Sequence, residues 1–358
     1  MANHNSLPLP LIDVSPFNGR EASSEAQRAA VAEELARACA THGAFYLKSG
    51  EIGKLTEDAR LKVFNAAQEF FALPDDVKNK IPIRAGGFTR GYIPIGGESG
   101  SQAVEVKEAF SYGYPWPSTR TPENSLQGPN EWPDASAVSP HWQKTLEEFY
   151  AGMVQVAEAV TRALSVALGM DAEYFPSFCK EGDTISLMRL FHYFPSEKAD
   201  GSGLAAAGAR IGSSAHTDWG FLTLVLQQEG VTGLQVADTN GEWIDVPPVA
   251  GTFIVNAGDY LSLMTRGRVK SPLHRVVTSD KERLSLVFFY YPTYEAKIPM
   301  MEKDSETASR ISLFVDQSKS TSSAEQQTLS SAETIGSFGE YIANKWSQVF
   351  RDPAGYKA

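Results

Sequence analysis

Residues 215–220 read Ala-His-Thr-Asp-Trp-Gly and place His216 and Asp218 two positions apart, just ahead of the apolar run Phe221 to Leu226. An imidazole and a carboxylate at this spacing form a surface ion pair, an acid–base dyad or two ligands of one metal ion. If the segment is extended, both side chains fall on one face with Cα atoms about 6.5–7 Å apart, which suits two ligands of one ion. The chain contains six histidines. Of the others, His4, His42, His141, His192 and His274, the best third ligand is His274, which opens a β-rich run behind a proline in Ser-Pro-Leu-His-Arg-Val-Val. Two imidazoles and one carboxylate with further positions open describe a non-haem Fe(II) site. Zinc with a bound water accepts the same set.

A second pair narrows the chemistry. In Glu-Arg-Leu-Ser-Leu-Val-Phe-Phe-Tyr-Tyr, Arg283 and Ser285 stand two apart in a β-run, so both face one side. An arginine facing the inside of an apolar sheet is costly unless it meets an anion. A structural ion pair with an acidic residue is one solution; a bound carboxylate is the other. Fe(II), two neutral histidines and Asp218 leave one net positive charge. A dicarboxylate bound there brings two negative charges, and Arg283 restores neutrality. The guanidinium fork suits a carboxylate better than an ammonium does, and Ser285 adds a hydroxyl donor.

These residues need a rigid scaffold, and the pattern supplies one. Ala29, Val31, Leu35 and Ala38 recur at helical spacing before Gly43, and a second helix runs through Val63, Phe64, Ala67, Phe70 and Phe71 to Leu73-Pro74. The longest helix spans about 142–168, and a short strand covers 106–113. From about Thr184 the texture changes to short β-rich runs: ISLMRLFHYF, FLTLVLQ, GLQVAD, EWIDV, TFIVN, YLSLM, HRVVT and LSLVFFYY. Strands without intervening helices predict a sandwich or jelly roll. The Ser/Gln-rich segment 317–334 reads as a linker or flap. An amphipathic helix follows, with Ile335, Phe338, Ile342, Trp346 and Phe350 on its apolar side. The expected class is α+β, one compact unit. A mainly helical region (1–180) packs on a β core (181–300), and 301–358 form a C-terminal flap and helix.

Composition excludes several partners. The 358 residues carry a net charge of −11 and no basic stripe, which argues against nucleic acid or an anionic membrane. No run approaches 18 apolar residues, and the N-terminus lacks a signal-like pattern. Cys39 and Cys179 sit in apolar helical stretches and read as buried free thiols of a reducing compartment. The expectation is a cytoplasmic protein acting on a small molecule, as a monomer or weak homo-oligomer.

The set His216-Thr-Asp218, His274 and Arg283-Leu-Ser285 resembles the 2-oxoglutarate- and Fe(II)-dependent dioxygenases of the isopenicillin N synthase-like superfamily. LPLIDVSPF, HGAFYLKSG, EFFALPDDVK, RGYIPIG, VKEAFSYG, GLQV, GEWIDVPP and FIVNAGDYLSLMTRGRVKSPLHRV follow in the family's order over roughly residues 7–300. The resemblance implies a double-stranded β-helix (jelly-roll) core flanked by helices. His216, Asp218 and His274 would ligate iron, and Arg283 and Ser285 would hold the far carboxylate of 2-oxoglutarate. The family couples decarboxylation of 2-oxoglutarate by O2, to succinate and CO2, with oxidation of a substrate: usually hydroxylation, otherwise desaturation, ring closure or demethylation. Relatives that use iron without 2-oxoglutarate can retain Arg-x-Ser, and a non-catalytic binding relative is a further alternative. Where the plant flavonoid and gibberellin branches read Asn-Tyr-Tyr-Pro-Pro, this chain has Phe191-His192-Tyr193-Phe194-Pro195, closer to the microbial branch that includes thymine 7-hydroxylases. The resemblance gives Tyr193 a share in 2-oxoglutarate binding. Strand alternation puts His192 on the face opposite Phe191 and Tyr193. Candidates for the substrate pocket are Phe88, Arg90 and Tyr92 in a Gly-rich lid, Phe110 and Tyr112, Phe191, and Trp219.

Overall fold

The computed structural model describes residues 7–18, 23–83, 90–97, 105–195, 211–301 and 336–347. The predicted flap at 317–334 and Phe88 lie outside them. The helices begin and end where local chemistry dictates. α1 (Glu25–Thr41) starts at a capping box between Ser24 and Gln27. α2 (Glu57–Phe71) is capped by Thr56, with Glu57 and Asp58 in its first turn favouring the helix dipole. The short α3 (Asp75–Lys78) follows directly after Pro74. α4 (Trp142–Ala167) buries Leu146, Phe149, Met153, Val156, Val160 and Leu164 at helical spacing, and Gly169 follows it with a φ of 77°. α5 (Tyr174–Cys179) leads into the β region.

Two sheets carry the core. The large one has the strand order β1 (Leu11–Asp13), β2 (Ala44–Lys48), β10 (Thr252–Ala257), β7 (Leu222–Gln227), β12 (Arg283–Tyr290), β5 (Leu187–Tyr193), β4 (Lys107–Gly113) and β3 (Gly91–Ile93). The small one has the order β6 (Ser213–His216), β11 (His274–Val276), β8 (Leu234–Ala237) and β9 (Trp243–Asp245). Two apolar clusters follow. Leu284, Leu286 and Phe288 of β12 and Leu222, Leu224 and Leu226 of β7 pack with α1, α2 and α4 on one face of the large sheet. Val287, Ile254, Tyr46 and Phe191 meet Leu234, Val236 and Val276 of the small sheet on the other. Helices therefore cover one face of the large sheet, and the small sheet covers the other. The jelly-roll core is the space between the sheets.

Three expectations change. The first 180 residues contribute four of the eight strands of the large sheet instead of packing only outside it. β2 is buried over Ala44–Leu47 and shows no period-two pattern to reveal it. YLSLM is helical: α6 (Asp259–Met264) has Gly258 at its N-cap and Asp259 in its first turn. A five-residue apolar run does not by itself distinguish strand from helix. Residues 214–226 are not one strand, since β6 ends at His216 and Asp218 sits in the turn before β7. The C-terminal helix α7 (Phe338–Ser347) buries Phe338, Ile342 and Trp346, as its periodicity predicts.

Candidate metal centre and its pocket

His216 and His274 are cross-strand neighbours on β6 and β11. Their rings lie 4.3 Å apart, centroid to centroid. Each imidazole is oriented through its Nδ1, which donates to a backbone carbonyl: His216 to Ser214 O at 2.7 Å and His274 to Pro272 O at 3.0 Å. That fixes the tautomer and leaves both Nε2 lone pairs for a ligand. Both point at one oxygen, Asp218 Oδ1, at 3.7 and 3.8 Å. The other oxygen, Asp218 Oδ2, accepts from Asn256 Nδ2 of β10 at 2.8 Å. One oxygen faces the imidazoles while the other is tied back. Backbone bonds hold the turn carrying Asp218 against the start of α6: Asp259 N donates to Asp218 O at 2.7 Å and Gly258 N to Phe221 O at 2.9 Å.

The charge states suit a divalent cation. Desolvation in the pocket, then the neighbouring His274, lowers the His216 pKa to about 4 although the side chain keeps 43% of its surface exposed, and its imidazole is neutral at physiological pH. Burial opposes ionisation of Asp218. The two imidazoles and hydrogen bonds from Thr223 and Asn256 outweigh it and hold its pKa below the usual carboxylate value. Among the described residues this is the one group of three or more His, Cys, Asp or Glu placed to hold a metal ion.

The triad opens into a pocket between the sheets that Tyr193, Arg283 and Ser285 also line. Arg283 is 3% exposed, and its Nε and Nη1 have no hydrogen-bond partner. Its guanidinium stacks on the Tyr193 ring at 4.7 Å. Burial lowers its pKa, the mark of a cation short of a counter-charge. The structural ion pair that would explain this arginine away is absent among the described residues. A carboxylate would satisfy the orphaned donors, with Ser285, 2% exposed, beside it on the same strand face.

The family models and relatives agree with this geometry. Residues 9–135 match the model of the N-terminal region of non-haem dioxygenases, described from morphine synthesis, and residues 184–292 match the 2OG-Fe(II) oxygenase superfamily. The 2-oxoglutarate-dependent dioxygenase citB of Monascus ruber is 36% identical over 298 residues, covering 81% of this chain and 86% of its own. The chain belongs to the 2-oxoglutarate/Fe(II)-dependent oxygenases. Clavatol oxidase claD of Penicillium crustosum is 35% identical, covering 82% of this chain and 88% of its own. Among solved structures, a full-length Neurospora crassa protein in complex with alpha-KG superimposes with a TM-score of 0.73 at 28% identity, covering 97% of this chain and 98% of that one. The oxygenase thus takes Fe(II) as its cofactor and 2-oxoglutarate and O2 as cosubstrates.

The substrate candidates divide. Phe191 and Trp219 line the pocket, and Trp219 meets Trp346 of α7 edge to face at 5.6 Å. Phe110 and Tyr112 do not reach it. They lie on the helix-facing side of β4, where Phe110 packs on Phe70 and Trp142 and Tyr112 Oη donates to Leu146 O. Tyr92 is turned away as well, packed near Phe70 with its hydroxyl donating to Glu108. Arg90 is no lid residue: it is 5% exposed and donates from Nη1 to Leu126 O and from Nε to Asn130 Oδ1. The loop's glycines suggested mobility, but burial decides where these side chains go. The sequence reading missed Asn256, Arg189 and Trp346. Asn256 and Arg189 carry the same signal as Arg283, a polar side chain inside an apolar strand. Trp346 was visible only as part of an amphipathic stripe.

Proposed function

We propose that this oxygenase couples 2-oxoglutarate decarboxylation to oxidation of a C–H bond in a small planar metabolite, most simply a hydroxylation. Substrate, 2-oxoglutarate and O2 give hydroxylated product, succinate and CO2. The observation that carries the reading is the meeting of the His216–Asp218–His274 triad and the orphaned Arg283 guanidinium in one pocket. His216, Asp218 and His274 ligate the iron, which when bound supplies the oxygen-activating chemistry. Arg283, Ser285 and Tyr193 hold the far carboxylate of 2-oxoglutarate.

The planar substrate class rests on the pocket wall. Phe191, Trp219, Phe289, Tyr291 and Trp346 supply aromatic surface, and Arg189 lies 5.2 Å above the Trp346 ring. Relatives point the same way: one is named for clavatol, and the Neurospora crassa protein has also been solved with thymine. The test is a panel of phenolic and heterocyclic metabolites scored by succinate formation coupled to oxygen uptake. Stoichiometric coupling with a planar compound supports the reading. Oxygen consumption without succinate, in the presence of substrate and iron, assigns the chain to the relatives that dispense with 2-oxoglutarate.

A further inference from the structure

A row of charged side chains stands behind the residues assigned to 2-oxoglutarate, on the opposite face of the same strands. On the pocket face, Lys107, Tyr193 and Arg283 are cross-strand neighbours. Each ends its strand: Lys107 opens β4, Tyr193 closes β5 and Arg283 opens β12. Strand ends are where a sheet opens most easily. A guanidinium that must meet a carboxylate nevertheless needs placing to within about 0.5 Å. Something besides the backbone ladder has to hold these ends.

The back face provides it. Glu108 and His192 are paired across β4 and β5, and Glu282 immediately precedes Arg283. His192 Nδ1 lies 2.9 Å from Glu108 Oε1, and His192 Nε2 lies 3.3 Å from Glu282 Oε2. Glu108 Oε2 accepts from Lys78 Nζ at 2.8 Å and from Tyr92 Oη at 2.6 Å. Lys78 also meets Asp75 at 3.1 Å, which anchors the network on α3. Lys78 and Glu108 are 4% and 3% exposed, and the His192 ring packs between Phe71 and Phe194. The Lys78–Glu108 pair is balanced without a histidine. His192 is the member that carries the network across β5 to the first residues of β12.

We propose that His192 is a positioning residue for the cosubstrate. By bridging Glu108 and Glu282 it ties together the ends of β4, β5 and β12, and so keeps the Tyr193 ring under the Arg283 guanidinium. This rests on the assignment of Arg283 as the carboxylate anchor. The test uses the full-length protein under anaerobic conditions, titrating 2-oxoglutarate into the Fe(II) form and following the visible band of the chelated keto acid. Iron affinity and succinate formation at saturating 2-oxoglutarate are measured alongside.

His192→Ala is expected to weaken 2-oxoglutarate roughly five- to tenfold, with iron affinity and the saturated rate within about twofold of the parent. His192→Gln keeps a donor and recovers part of the loss. Glu282→Ala, at an exposed position, weakens 2-oxoglutarate about threefold. The double variant His192→Ala/Glu282→Ala is no worse than His192→Ala alone, because both remove one bridge. If His192→Ala does not fold, His192→Gln and Glu282→Ala decide the matter. Unchanged 2-oxoglutarate affinity in the folded variants overturns the proposal, as does a parallel fall in iron affinity and saturated rate. A parent protein that binds iron but shows no keto-acid band overturns the Arg283 assignment, and this proposal with it.

Discussion

His216, Asp218 and His274 present two nitrogens and one oxygen to a common point, so losing any one leaves an incomplete ligand set. His216→Ala and Asp218→Ala are expected to abolish iron binding at micromolar metal in an equilibrium titration; unchanged affinity in both would remove these residues from the centre. Asn256 makes a finer prediction. It ties back the carboxylate oxygen that does not face the imidazoles. Asn256→Ala should weaken iron about tenfold while the protein still folds. Arg283→Ala should leave iron affinity intact and raise the 2-oxoglutarate KM by roughly 30-fold or more, because a buried bidentate contact is lost. Arg283→Lys should restore only part of it, since an ammonium lacks the fork. The candidate metal ligands, which the structure brings within reach of one ion, were legible in the sequence because their types are rare and their chemistry is narrow. Phe110 and Tyr112 were misjudged because an aromatic ring suits a pocket wall and a helix–sheet interface equally well, and the residue alone does not say which face of β4 it takes.

The turn that carries Asp218 depends on an element the sequence misrepresented. Run as a strand, YLSLM would have had no bearing on the metal. As α6 it sets Asp259 and Tyr260 backbone N–H groups on the carbonyls of Asp218, Trp219 and Gly220. The two segments touch glycine to glycine: a Cβ on Gly258 would lie 2.2 Å from Gly220 O, and a Cβ on Gly220 would lie 2.4 Å from the Tyr291 ring. Neither contact is tolerable without moving the turn. Gly258→Ala is therefore expected to lower both the melting temperature and the iron affinity, whereas Gly230→Ala, where a Cβ meets nothing within 4 Å but the φ of 83° strains any side chain, should lower the melting temperature and leave iron affinity unchanged. Equal iron affinities in the two variants would show that strain on this turn does not reach the ligand. Part of the eight-strand sheet was hidden for a related reason. β2 is buried over Ala44–Leu47, which erases the alternation that reveals a strand, whereas β4 was legible as the run 106–113.

The helical layer and the sheets share their connections to the metal. Lys270, four residues before His274, donates from its backbone N to Cys39 O in α1 at 3.0 Å. A Cβ on the nearby Gly43 would lie 2.1 Å from Lys270 O, so the chain leaving α1 is seated on the chain entering β11. This seat joins the helical part and the β-rich part on either side of Thr184 and motivates the expectation that the two open together. The two cysteines report on it. Both are free and buried, Cys39 in α1 and Cys179 at the end of α5. Burial pushes the Cys39 thiol up to about 12, and it raises Cys179 as well. Only the thiolate attacks a disulfide reagent, so the folded protein should give almost no reaction at pH 8, and two thiols should appear after unfolding. If the layers open together, labelling of both cysteines tracks global unfolding. Fe(II) alone at about 100 times its dissociation constant, added without O2, should then slow both by roughly 100-fold, because a ligand bound only to the native state stabilises it by about 2.7 kcal/mol. Rapid, ligand-independent labelling of Cys39 would mean that α1 opens apart from the metal centre, and the unit would divide near Thr184 after all.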